Sequence, residues 1–259
     1  MISVVLPVFR NKDTLVELID RIHQVLNKER LMHEIICVND SCLDGSLVVL
    51  KHIVDHDPNC TVVDLVEHVG QHKAVLIGMA YAQGDWIVVM DADLQDPPEV
   101  LPQLLTIAKE TQCVVFAGRK GRYEYSGRLF TSRVFKRILA LLTRVPKDAG
   151  MFFVIPKNLK VKLLELRGVT PYVVTMLGVV ATRMISYPVE RTRRSTGTSA
   201  YSSFQRAISG MKAVVCAFQC RSPQFKNGSA LPGHERLVRS VIRKNTGSLS
   251  CMENDEIIR

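Results

Sequence analysis

Short apolar runs alternate with amphipathic stretches along the first half of the chain. Residues 2–8 form a continuous apolar run containing Pro7, a pattern typical of a strand buried on both faces. Residues 13–26 carry apolar side chains at helical spacing, and Asp13 is in position to cap that helix. The same patterns predict strands at 34–38, 61–66, 86–90 and 113–118, and helices at 44–54, 73–82 and from Pro97 onward. Repeated β-α units of this spacing predict an α/β fold with a doubly wound, mostly parallel sheet.

The pattern changes after Gly118. A basic loop leads to an amphipathic helix at 128–145, then strands at 152–155 and 179–189 and a helix at 202–218. Phe204 and Phe218 on the last helix are interpreted as packing residues rather than lipid contacts. We therefore expect one domain at 1–218, with halves 1–118 and 119–218. The polar residues 219–259 have few apolar anchors, which predicts a largely disordered tail.

Charge separates the two halves of the chain. Residues 1–110 carry 8 Lys+Arg and 17 Asp+Glu, so 8 − 17 = −9, whereas residues 111–259 carry 26 and 8, so 26 − 8 = +18. An acidic half with clustered carboxylates suits a divalent cation, and a basic half suits a diphosphate, a lipid phosphate or an anionic membrane. The predicted basic helix 128–145 is either a membrane-interface helix or a core-facing helix with a solvated basic face. No nucleic-acid-binding motif occurs, so we expect no nucleic-acid partner.

Membrane insertion and export are not expected. No uncharged apolar run reaches the about 18 residues of a membrane span, and 169–181 is the longest candidate. The first residues lack a basic start and a small-residue cleavage site. The expected location is therefore the cytoplasm, with peripheral contact to the cytoplasmic side of the membrane through helix 128–145.

Three carboxylates fall at predicted strand ends: Asp40, Asp91 and Asp93. A doubly wound sheet binds its ligands at the carboxyl ends of its strands. Asp91 and Asp93, two residues apart, are able to converge on one Mg²⁺ or Mn²⁺ ion. In the alternative interpretation Asp96 caps the next helix, and Asp91 and Asp93 are merely solvated.

Several segments resemble family 2 glycosyltransferases, which adopt the GT-A fold. The segment VNDSCLDGS at 38–46 is similar to the family's VDDGSxDGS. MDADLQDPPE at 90–99 resembles the polyprenyl-phosphate branch, which includes dolichol-phosphate mannose synthases. The resemblance covers roughly 1–215 and continues through these further pieces: Gly70-Gln71-His72, Gly84-Asp85, Gly118-Arg119, Asp148-Ala149-Gly150 and Arg191-x-x-Arg194-x-x-Gly197-x-Ser199-x-Tyr201.

The chain departs from the family pattern in several places. The usual PxYNE opening is Pro7-Val8-Phe9-Arg10-Asn11, which lacks the acidic residue, and Asn39 replaces the first Asp of the DD pair. Residues 1–259 contain no segment that resembles the two C-terminal membrane spans of many members. These departures make the acceptor half less defined than the donor half.

The resemblance implies roles for individual residues. The implied metal ligands are Asp91, Asp93 and Gln95. The implied donor-binding residues are Pro7 and Val8 under the nucleotide, Asp40 on the base, Asp91 on the ribose, and Arg119, Arg191, Ser199 and Tyr201 near the phosphates. Arg194 would stabilise developing charge, since a guanidinium binds phosphate in a bidentate way. Asp148 is either a catalytic base or acceptor-positioning residue, or a turn residue before Gly150.

The implied activity is inverting, metal-dependent transfer from a UDP- or GDP-sugar to a polyprenyl phosphate or a lipid-linked sugar. A nucleotidyltransferase is an alternative, although no glycine-rich phosphate loop follows the first strand. The other alternative is a non-catalytic module that binds anionic lipid. A homo-oligomer is compatible with the sequence.

Overall fold

The computed structural model describes residues 1–120, 143–166, 170–191, 203–222 and 234–244. Contacts divide the chain into unit 1, Met1–Leu94 with Gly233–Arg259, and unit 2, Gln95–Pro232. The predicted domain 1–218, with halves 1–118 and 119–218, stays a prediction. The described C-terminal residues 234–244 group with unit 1.

The described residues contain eight strands and seven α-helices. The strands are β1 Ile2–Val8, β2 His33–Asn39, β3 Cys60–Leu65, β4 Trp86–Val89, β5 Val114–Lys120, β6 Phe153–Pro156, β7 Met184–Glu190 and β8 Val238–Arg243. The α-helices are α1 Leu15–Lys28, α2 Ser46–His56, α3 Gln71–Tyr81, α4 Leu101–Thr111, α5 Lys157–Leu164, α6 Val173–Val180 and α7 Ser203–Arg221. Short 3₁₀ turns precede α4 and β8.

Unit 1 is built on a five-stranded sheet in the order β4-β1-β2-β3-β8. The first four of these strands are parallel, and β8 runs antiparallel to β3. All seven residues of β1 are buried, as its continuous apolar run predicts. Because β2 and β4 lie on opposite sides of β1, the strand order reverses at β1, and ligands bind at such a reversal in open α/β sheets.

Helix α1 connects β1 to β2 and buries one apolar stripe: Leu15, Leu18, Ile19, Ile22 and Leu26. The expected cap at Asp13 is wrong, because Thr14 occupies the N-cap position and its side chain makes no capping bond to the helix. The Thr14 hydroxyl donates instead to the Ala92 carbonyl at 2.6 Å. This bond joins the loop after β1 to the loop after β4.

Unit 2 contains a mixed three-stranded sheet in the order β7-β5-β6. Strand β5 pairs antiparallel with β6 and parallel with β7. The predicted strand at 179–189 is wrong in its first part, because 173–180 form helix α6. The segment VVTMLGVV is almost entirely apolar, and residues 173–178 of α6 are buried. Without alternating polar positions, the sequence of this segment has no periodicity that distinguishes a helix from a strand.

The predicted disorder of 219–259 is wrong for residues 234–243. Strand β8 pairs with β3 through five register positions, from Thr61 with Arg243 to Leu65 with Val238. Half of its sequence, VRSVIR, is polar, and both arginines are exposed. This composition is typical of an edge strand, which pairs with a neighbour on one side only. Among the residues that the structure describes, no helix is both long and apolar enough to cross a membrane.

Candidate functional site

The loop after β4 holds the predicted metal ligands. Asp91 and Asp93 are half-buried, whereas Ala92 between them is only 2% exposed. The chain bends at 92–94, and within this bend the side chain of Ala92 is buried while those of Asp91 and Asp93 are partly accessible. Leu94 has φ +59°, and this left-handed residue turns the chain immediately after Asp93.

Asp91 is oriented by α3. The Gln71 side-chain amide, in the first turn of that helix, donates to Asp91 Oδ1 at 2.5 Å. Gly70, with φ +86°, allows the chain to enter the helix at this point. The sequence motif contained Gln71 but gave it no role, since nothing in the sequence links it to a residue twenty positions away.

The residues of this loop fit a hard divalent cation. Asp91, Asp93 and Gln95 supply only oxygen ligands, which Mg²⁺ and Mn²⁺ prefer. Within the described ranges, no group of three or more His, Cys, Asp or Glu side chains is arranged to hold a metal ion. The predicted set of two carboxylates and one amide oxygen would leave coordination positions for water and substrate phosphates, as is usual for magnesium.

Asp40 lies at the end of β2 and is 2% exposed. Its two oxygens accept hydrogen bonds from the backbone N–H groups of Val69 and Gly70, at 2.7 and 2.9 Å. His68 Nδ1 lies 2.9 Å from Asp40 Oδ2. These contacts shape the loop at 66–70, and the predicted contact of Asp40 with a base stays a prediction.

The side-chain rings of Phe9 and His68 stack beside Asp40, a pairing that was not predicted from the sequence. Phe9 stacks on His68, with ring centroids 4.3 Å apart and an interplanar angle of 27°. The Arg10 guanidinium lies 5.3 Å from the Phe9 centroid. Phe9 is 37% exposed and follows the buried Pro7 and Val8, so an accessible ring stands directly after β1.

Strand β8 supports the same loop. The Asn39 amide donates to Asp64 Oδ1 at 2.7 Å, and Arg239 of β8 donates to Asp64 Oδ2 at 3.3 Å. Arg239 also donates to the Val66 carbonyl at 3.3 Å. The segment that the sequence assigned to a disordered tail thus carries a side chain that holds the start of this loop.

In unit 2, Arg191 contacts a carboxylate. Its guanidinium forms a bidentate ion pair with Asp96, through Nε to Oδ1 at 2.5 Å and through Nη2 to Oδ2. The Asp96 side chain is 2% exposed. These contacts direct the guanidinium to Asp96, and the predicted contact of Arg191 with donor phosphate stays a prediction. The proposed capping role of Asp96 is corrected by the same pair.

Asp148 lies in the turn at 146–149 and is also held by a side chain. Ser186 of β7 donates to Asp148 Oδ2 at 2.5 Å. A Cβ at Gly118 would collide with both Ser186 Oγ and Asp148 Oδ2, so only glycine fits at this point of β5. The structure thus brings Gly118, Asp148 and Ser186 together. Ser186 carried no sequence signal.

Some predicted site residues lie outside what the structure describes. Arg194, Ser199 and Tyr201 fall within residues 192–202, and most of the predicted helix 128–145 falls within 121–142. The backbone of Arg119 belongs to β5 and pairs with Val189, but its side chain is outside the described atoms. The roles assigned to these residues stay predictions.

Residues 3–159 match the family described as glycosyl transferase family 2. A curated relative of Bacillus subtilis (strain 168), named "Uncharacterized glycosyltransferase YkcC", is 31% identical over 202 residues, which is 77% of this chain and 62% of the relative. The undecaprenyl-phosphate 4-deoxy-4-formamido-L-arabinose transferase of Klebsiella pneumoniae subsp. pneumoniae is 30% identical over 217 residues, 83% of this chain and 66% of the relative. The chain thus spans less than two thirds of either relative.

A solved structure has a similar fold. Glucosyl-3-phosphoglycerate synthase from Mycobacterium tuberculosis, crystallised with Mn²⁺, uridine diphosphate and glucosyl-3-phosphoglycerate, superposes with a TM-score of 0.63 at 18% identity. The superposition covers 86% of this chain and 81% of that one. This likeness confirms the predicted GT-A class of α/β fold.

Proposed function

Because this chain belongs to glycosyl transferase family 2, we propose that it transfers a sugar from a nucleotide-sugar donor to an acceptor, with inversion and with Mg²⁺ or Mn²⁺. The donor is a UDP- or GDP-sugar. The acceptor is a lipid phosphate such as a polyprenyl phosphate, or a lipid-linked sugar, in keeping with the relative named for undecaprenyl phosphate. The reaction takes place at the cytoplasmic face of a membrane.

The arrangement of Asp91 and Asp93 is the observation that carries the proposal. Both are half-buried in the loop that follows β4, and Ala92 between them is buried. The loop is fixed by bonds from Thr14 and Gln71. Asp91, Asp93 and Gln95 would hold the cation. When bound, the cation neutralises the charge that develops on the departing diphosphate.

The remaining chemistry is alignment and proton handling. An acceptor oxygen attacks C1 of the sugar as the bond from C1 to the diphosphate oxygen breaks, and attack from the opposite face gives inversion. A phosphate acceptor is already largely ionised near neutral pH, since its second pKa is about 6, and it needs no base. A hydroxyl acceptor must lose its proton, and Asp148 is the proposed base.

The remaining residues are proposed to contact the nucleotide and its phosphates. Pro7, Val8 and Phe9 lie on the nucleotide side, and loop 66–70, shaped by Asp40, receives the base. Arg194, Ser199, Tyr201 and Arg119 remain the proposed phosphate contacts. Arg191 acts as a positioning residue, since its ion pair fixes Asp96 directly after Gln95.

The test is donor binding by titration calorimetry. The full chain is titrated with UDP-, GDP-, dTDP- and CMP-sugars in the presence and absence of Mn²⁺. We expect metal-dependent binding of one nucleotide class and its loss in Asp93→Ala. Asp55→Ala removes an exposed carboxylate of α2 and is the matched control.

Binding indifferent to metal and to Asp93 would overturn the proposal. It would favour a non-catalytic role for the basic half of the chain. Binding of a nucleoside triphosphate in place of every sugar nucleotide would favour a nucleotidyltransferase.

A further inference from the structure

Helix α7 carries an apolar stripe that faces solvent. Met211, Val215 and Phe218 are 64%, 44% and 61% exposed. Their spacing of four and then three residues places them on one face of the helix over about two turns. Phe218 is therefore not the packing residue that the sequence predicted.

The opposite face of the helix fixes its orientation. Four small side chains lie on that buried face: Ala213, Cys216, Ala217 and Cys220. At about 100° per residue, this buried face is centred roughly 180° from the exposed stripe. The stripe is thus exposed because the other side of the helix is committed to the core of unit 2.

Exposed cations flank the stripe. Lys212 lies about 100° to one side of Met211 and Arg221 about 80° to the other, and both are exposed. The nineteen residues of α7 include no Asp or Glu. An apolar stripe between two cationic edges is the pattern of a helix that lies in a membrane interface.

We propose that α7 docks on an anionic phospholipid surface. Met211, Val215 and Phe218 enter the boundary of the acyl chains, and Lys212 and Arg221 extend to the lipid phosphates. Charge complementarity selects this occupant, because residues 111–259 have a net charge of +18 (26 − 8). The proposal gives the membrane contact a site on α7, distinct from the predicted helix 128–145, and does not depend on the donor or its chemistry.

Vesicle co-sedimentation tests the proposal with the full chain. The vesicles are phosphatidylcholine alone and phosphatidylcholine mixed with phosphatidylglycerol. We expect binding to the anionic vesicles that weakens as salt rises. Combining Met211→Ser, Val215→Ser and Phe218→Ser should lower the partition coefficient by about tenfold or more. Combining Lys212→Glu and Arg221→Glu should remove the preference for anionic vesicles.

The matched control replaces three exposed apolar side chains of unit 1. Val16, Met32 and Val48 are 50%, 77% and 72% exposed, and their combined change to serine should leave vesicle binding unchanged. Unfolding in urea checks that every variant is folded. Equal binding by wild type and the α7 triple variant would overturn the proposal. So would a dimer, measured by light scattering, that the triple variant loses while vesicle binding stays the same.

A second readout follows the stripe directly. The chain has one tryptophan, Trp86, so Trp86→Phe combined with Phe218→Trp places the only indole on α7. Anionic vesicles should shift its emission to the blue, and brominated lipids should quench it. Bound protein in which the emission of this indole neither shifts nor is quenched would show that another surface makes the contact.

Discussion

In unit 1, Asp40 and Asp44 accept hydrogen bonds from backbone N–H groups, whereas in unit 2 Asp96 and Asp148 are held by single side chains. Asp40 binds two amides of loop 66–70, and Asp44 binds the amides of Lys12 and Ser46. Asp96 depends on Arg191, 95 residues away, and Asp148 depends on Ser186, 38 residues away.

This difference determines what a substitution is able to break. A backbone amide remains when its side chain is changed, so the support of Asp40 and Asp44 survives most substitutions around them. A side-chain partner disappears with one substitution: Asp96 would lose its charge partner and hydrogen bonds while buried, and the half-buried Asp148 would lose the hydrogen bond from Ser186. Unit 2 should therefore be the more sensitive of the two to single changes near its carboxylates.

The largest effect is expected from Arg191→Ala. The change leaves Asp96 buried without a cation, and breaking a buried pair in this way costs about 3–5 kcal/mol of unfolding free energy. Urea unfolding measures the loss, and Arg183→Ala, at an exposed position just before β7, is the control. Arg191→Lys should recover only part of it, because an ammonium does not bind both carboxylate oxygens in the fork geometry. Equal unfolding free energies for Arg191→Ala and Arg183→Ala would contradict the prediction that the buried Asp96 depends on Arg191.

Asn39→Asp tests the exception in unit 1, where Asp64 relies on side chains. A second carboxylate beside the buried Asp64 replaces a hydrogen bond with repulsion, at a cost of about 2–4 kcal/mol. Adding Asp64→Asn should restore much of that stability, because the new amide at position 64 is able to donate to the new carboxylate at position 39. A double-mutant cycle in urea measures the coupling between the two positions. Additive losses would show that the two side chains do not interact.

Ser186→Ala should act on turnover. Removing the hydroxyl leaves Asp148 free to rotate, and the loss of one such hydrogen bond lowers kcat by up to about tenfold. The KM for the donor should stay unchanged, and Ser186→Thr should restore kcat. A fall in thermal stability with kcat unaltered would make Ser186 a purely structural residue. A rise in the KM for the donor with kcat unchanged would show that Ser186 contributes to donor binding instead.

The smallest effect concerns pH and Asp44. Burial by itself would raise the pKa of this carboxyl, but hydrogen bonds from Cys42, Ser46 and Lys12 outweigh it and lower the pKa from 3.8 to about 2. A lowered folded-state pKa contributes stability that is complete above about pH 4 and is lost as the pH falls toward 2. The difference in urea midpoint between wild type and Asp44→Asn should therefore shrink over that range. A constant difference across that range would contradict the assignment, and Asp55→Asn on α2 is the control.

The parallel sheet and the family could both be predicted from the sequence. Apolar runs predicted β1 to β5 to within two residues at each end, because strands buried on both faces need continuous apolar side chains. The expected family is confirmed by the match over residues 3–159. Asp91 and Asp93 were predicted as metal ligands because a strand end is visible as the point where an apolar run stops, and that role stays a prediction.

Partners from distant parts of the chain were not within reach. Strand β8 was missed because its half-polar sequence is stabilised by β3, and α6 was misread because full burial removes periodicity. Local sequence determines where an apolar run ends and which carboxylate follows it, since those depend on neighbours along the chain. Only the tertiary structure decides that Arg191 binds Asp96, that Ser186 and Gly118 accommodate Asp148, and that Phe218 faces outward. Each of these depends on which segments fold against one another, and no local pattern records that choice.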